Sequence, residues 1–149
     1  LDYTTKGLVR FDVSTIPSSA SVVSAKLDLT VESWNGPQTL LGNFLLTPWS
    51  STASNLGWTS GGAGANWTVP GIGPGDLTGV PFQLGGINTS GYQHKSVALD
   101  AASVQAWVSD STANHGVVLS NQGAGKVLRV FSSEASDLAR RPTLSITYQ

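Results

Sequence analysis

The 149 residues are enough for one domain with a sizeable core. Only 11% are Asp, Glu, Lys or Arg, against about a quarter in a typical soluble domain. Net charge is −1 and the eight basic residues are scattered, with Arg140-Arg141 the sole adjacent pair, so nothing resembles an electrostatic footprint for nucleic acid. The absence of cysteine removes disulfides, thiolate zinc sites and cysteine nucleophiles together.

Gly7 to Val13 reads as the opening strand, and Ile16-Pro17-Ser18-Ser19 as the turn that follows it. From Val22 to Trp34, Ala25, Leu27, Leu29 and Val31 alternate with Lys26, Asp28, Thr30 and Glu32. That period of two marks a strand buried on one face. Gln38 to Trp49 forms a third strand region, entered through Asn35-Gly36-Pro37. Eleven of the 17 glycines then fall between Gly57 and Gly91. An irregular stretch of that length is uncommon in a compact domain and is often functional. Val80 to Leu84 reads as a short edge strand, where Pro81 is tolerated.

Lys95 to Leu99 restores order, and Asp100 is placed to cap a short helix, Ala101 to Val108. Val104, Trp107 and Val108 give that helix one apolar face. Gly116 to Ser120, Lys126 to Ser133 and Thr143 to Tyr148 supply three final strands. Many short strands with one helix predict an all-β, antiparallel, jelly-roll-like sandwich spanning residues 1–149 as a single domain. No apolar run reaches the length of a membrane span, so membrane insertion is not expected. The chain begins at Leu1 and has no Met, which reads as a mature or excised piece of something longer. A surface rich in Ser, Thr, Gly and Asn points to an extracellular location. Asn66-Trp67-Thr68 and Asn88-Thr89-Ser90 are glycosylation sequons if the source is eukaryotic.

Four segments resemble the DNRLRE-domain family of carbohydrate-binding modules, related to disaggregatases. They are Leu8 to Ser14 running on through Ile16-Pro17 to Ser24-Ala25-Lys26-Leu27; Asp100 through Val104-Gln105-Ala106-Trp107; Asn114 to Leu119; and Phe131-Ser132-Ser133-Glu134 followed by Arg141 to Tyr148. The resemblance covers nearly the whole chain. It implies a non-catalytic β-sandwich that sits beside lyases and hydrolases or on cell-surface proteins, and some members bind alginate. The family pattern carries a further strand region before the Arg-Phe-Asp strand, where this chain has only Leu1 to Lys6. Truncation, omission, and supply by a neighbouring chain stay open as reasons.

Sugar recognition needs flat aromatic faces with planar polar groups beside them. Trp34 beside its turn, Trp58 and Trp67 in the Gly-rich stretch, and the run Tyr92-Gln93-His94-Lys95 are the candidate carbohydrate-binding residues. Trp49 and Trp107 read as core. Arg10, Asp12, Arg129 and Glu134 lie on or beside strands, where an Arg can clamp a uronate carboxylate. The competing reading is an internal ion pair of Arg10 or Arg129 with Glu134. No catalytic residues are assigned: His94 and His115 stand in separate loops, and no pair of carboxylates is evident. Calcium suits oxygen-rich loops, but Asp2, Asp76, Asp110 and Asp137 are isolated, so such a site must assemble in space.

Two functions follow as expectations. The first is a polysaccharide-binding module, including acidic polysaccharides such as alginate, acting with an attached catalytic domain. The second is a structural or adhesive subunit of a cell-surface assembly, pairing with a neighbouring copy through an open strand slot.

Overall fold

In the computed structural model, residues 5–33, 36–50, 61–62, 66–88, 91–122 and 126–149 are described. They form β1 (Lys6–Val9), β2 (Val22–Ser33), β3 (Gln38–Leu45), β4 (Leu77–Ile87), β5 (Gln93–Leu99), α1 (Ala101–Ser109), β6 (Val117–Asn121), β7 (Leu128–Val130) and β8 (Thr143–Tyr148). The first sheet runs β1-β6-β3-β4. In the second, β2 pairs with β5 on one side, while β8 and β7 share its other side. All pairings are antiparallel, and the two four-stranded sheets pack as a sandwich.

The alternation along β2 determines which face meets the core. Leu27, Leu29 and Val31 are at most 2% exposed, and they pack with Leu40 and Phe44 of β3 and Leu119 of β6. The helix closes this core with Val104, Trp107 and Val108. Its start is held by Asp100, whose carboxylate accepts from the Ser103 N–H at 2.8 Å, satisfying an otherwise orphaned donor. Gln105 ties the helix to the chain entering β2, accepting from Val22 N–H and donating to the Ala20 carbonyl.

Several boundaries differ from the sequence expectation, each for a local reason. The opening strand stops at Val9, because the chain turns out of the ladder and Asn114 Nδ2 donates to the Phe11 carbonyl. The third strand stops at Leu45, because Leu46 N–H is taken by the Asp76 carbonyl. β7 has only three residues, since β8 occupies the same side of β2 up to Asp28. The fourth strand is the opposite case, eleven residues where five were expected. Register shifts opposite Gln38–Leu40 and Gly42–Phe44 mark two irregularities along it. Gly79 and Gly86 have φ of +68° and +62°. Such kinks break the two-residue period that would have announced the strand.

Candidate functional site

Beyond β3, the described residues Trp49, Trp67 and Ile72 cover the outer face of the first sheet. Trp49 and Trp67 are 8% and 6% exposed and pack with Leu45 and Val118, against Leu8, Ile72 and Leu77. Trp49 Nε1 donates to the His115 carbonyl at 2.7 Å. Asp76 pins this cover from within: its buried carboxylate accepts from the Thr47 hydroxyl, the Thr68 N–H and hydroxyl, and the Gly73 N–H. Burial by itself would raise the Asp76 pKa, but these four donors together hold it below the usual carboxylate value. His115 is pushed below its ordinary value, first by burial and then by the Arg10 charge.

Trp67 is therefore part of a second small core rather than a ring presented to solvent, because the apolar outer face of β1 and β6 needs a cover. Trp34 and Trp58, the other tryptophans proposed for ligand contact, lie outside the described residues.

The run 92–95 divides by strand alternation, since successive side chains leave a strand on opposite faces. Gln93 and Lys95 tie the start of β5 to the end of β4. Gln93 Nε2 donates to the Asn88 carbonyl at 2.6 Å, and Lys95 Nζ donates to the Gly86 carbonyl at 3.0 Å. Tyr92 and His94 face outward from the second sheet. His94 Nδ1 lies 3.1 Å from the hydroxyl of Thr30, its cross-strand partner.

Tyr92 is 51% exposed, yet it belongs to an ordered group. Its ring meets Phe131 edge-on with centroids 5.1 Å apart. The Arg140 guanidinium stands 4.2 Å from the Tyr92 centroid and 5.3 Å from that of Phe131. Asp137 orients this guanidinium through an ion pair at 3.0 Å. Phe131 and Arg140 were not singled out as ligand contacts, although both lie in stretches that the sequence marks. Their pairing with Tyr92 depends on the 131–141 connection folding back across the sheet.

The other outward charges are engaged nearby. Arg129 Nη1 pairs with Glu32 at 3.5 Å, so its carboxylate partner is Glu32 rather than the expected Glu134. Arg10 packs on Trp49, with its guanidinium 5.4 Å from the ring centroid. Asp28 is held below the usual carboxylate value mainly by the Ser96 hydroxyl, opposed by burial and aided by Lys26.

A cleft of about 1180 Å³ runs along one side of the sandwich. It is lined by residues 5–11 and 129–135, with Leu119, Tyr92 and Trp67 among the other residues that face it. Among the described residues, no three His, Asp or Glu side chains come together as a metal site. The Asp76, Asp110 and Asp137 carboxylates accept from neighbouring backbone or hydroxyl donors, while Asp2 lies outside the described residues.

Compared with known proteins, the chain matches no family model and no curated sequence.

Proposed function

We propose that this domain is a non-catalytic polysaccharide-binding module of an extracellular or cell-surface protein, and that it binds through the outer face of the second sheet. The observation that carries this reading is the half-exposed Tyr92 ring, set against Phe131 and Arg140 with His94 next along the strand. Rigid aromatic surface beside planar donors suits a pyranose, whose apolar face stacks while its hydroxyls seek hydrogen bonds. Arg140 adds a guanidinium suited to a uronate carboxylate, in keeping with acidic polysaccharides such as alginate. The similarity of four segments to DNRLRE-domain modules supports the same class of function, with an attached enzyme as the natural neighbour.

The test is an array of neutral and uronate-containing polysaccharides, followed by titration of soluble fragments into the wild type, Tyr92→Ala and His94→Ala. The wild type should bind at least one glycan, and Tyr92→Ala should weaken that binding by at least tenfold while remaining folded. No binding to any glycan would remove the module reading. Equal binding by both folded variants would move the site off this face.

A further inference from the structure

Strand alternation carries the outward row of β5 beyond the Tyr92 patch. Tyr92, His94 and Ser96 are exposed in succession, while Val97 and Leu99 turn to the core. From Tyr92 to Ser96 the row runs four residues, roughly 13 Å along the strand. Opposite Ser96 stands Asp28 of β2, with Lys26 next on the same face, since Leu27 between them points into the core.

The two ends of this row differ in relief. At the Tyr92 end, Arg140 bridges the Tyr92 and Phe131 rings, and the Thr30 hydroxyl bonds to His94 with Thr30 only 1% exposed. Further along β2 the face opens, leaving the Asp28 and Lys26 side chains 33% and 53% exposed. Lys26 Nζ lies 3.1 Å from the Asp28 carboxylate, and the Ser96 hydroxyl donates to that carboxylate. The trio offers ammonium hydrogens and spare carboxylate lone pairs side by side, with no net charge. Two hydroxyls on neighbouring ring carbons match it, one donating to Asp28 and the other accepting from Lys26.

Resting on the reading of this face as a glycan site, we propose that Lys26, Asp28 and Ser96 form a second subsite for the same glycan chain. It grips the ring hydroxyls of a sugar further along from the one stacked on Tyr92. The ligand is a linear polysaccharide with free neighbouring hydroxyls, lying along β5 and held over a run of units rather than by one terminal sugar. Once a chain spans both subsites, the second contact becomes intramolecular, so affinity grows with length.

The experiment titrates size-fractionated fragments of alginate, xylan and cellulose, from two to eight units, into the intact 149-residue chain. Interior rings of all three carry neighbouring hydroxyls. Lys26→Ala, Asp28→Asn and Tyr92→Ala are titrated alongside, with folding checked by thermal melting. In each series that binds, the hexasaccharide should bind at least tenfold tighter than the disaccharide. Lys26→Ala and Asp28→Asn should remove most of that gain and leave disaccharide binding within about twofold, whereas Tyr92→Ala should weaken both lengths. Amide NMR signals of Lys26, Asp28 and Ser96 should shift with the hexasaccharide and not with the disaccharide. Equal affinity at every length, a length gain kept in both folded variants, or unshifted signals at these three residues overturns the second subsite alone, provided that Tyr92→Ala still weakens binding. No binding by any series at any length overturns both this subsite and the glycan reading of the face.

Discussion

The ring of Phe82 lies across Gly42, its cross-strand partner: a Cβ added at Gly42 would stand 2.0 Å from Phe82 Cζ. Phe82 is buried and meets Phe44 edge-on with centroids 6.2 Å apart. Glycine at 42 thus makes room for an aromatic side chain from the edge strand to join the core. Gly42→Ala should destabilise the domain by about 1–3 kcal/mol, the usual cost of overfilling a packed site. Chemical denaturation reads this directly. An unchanged midpoint would mean that Phe82 can move aside freely.

Asp76 should govern both loop order and acid stability. Asp76→Ala strands the buried Gly73 N–H, at about 1–3 kcal/mol, and also removes the acceptor of the part-buried Thr68 N–H. Because the folded-state pKa is lowered, the unfolded chain takes up protons first as pH falls. The Asp76 contribution is therefore complete above the ordinary carboxylate value and is lost as pH drops through the lower, folded-state value. Thermal melts from pH 6 down to pH 2 should show the wild type losing stability in that acid range. Asp76→Asn should lose less over the same range, and parallel curves would exclude Asp76 as the group responsible.

Trp107→Ala should cost about 3–5 kcal/mol, because an indole that is 3% exposed and 5.2 Å from Phe44 leaves a cavity when removed. Trp67→Ala should instead act mainly on the cover over the first sheet. Faster amide exchange near Ile72 and Leu77, before exchange in β2, is the expected pattern. Uniform acceleration throughout the domain would show that the two cores melt as one.

Salt separates the contributions of stacking and charge at the outer patch. If Arg140 receives a uronate carboxylate, binding of a uronate polymer should weaken as salt rises, whereas binding of a neutral glycan should change little. Arg140→Gln should remove most of that salt dependence while keeping Tyr92 in place. Calorimetric titration at low and high ionic strength measures it. An unaltered salt dependence in Arg140→Gln would transfer the anion-binding role to Arg129 or Arg10.

How much was legible in the chain varies with how local the cause is. The strict alternation in β2 was readable because one buried face repeats every second residue. The helix was readable because Asp100, Val104, Trp107 and Val108 stand at cap and face positions set by local geometry. The full length of β4 was not, because Gly79, Pro81 and Gly86 disguise a strand as a loop until β3 supplies its pairing partner. Site residues were harder still. The sequence places Trp67, in the Gly-rich stretch, and Tyr92, just before a strand, in the same class of candidate sugar-binding aromatics. Only tertiary structure separated them: the apolar outer face of β1 and β6 draws Trp67 under cover, while Tyr92 stays half-exposed beside Phe131 and Arg140. Periodicity and capping are written in neighbouring residues. Which ring is buried depends on apolar surface contributed by strands more than fifty positions away.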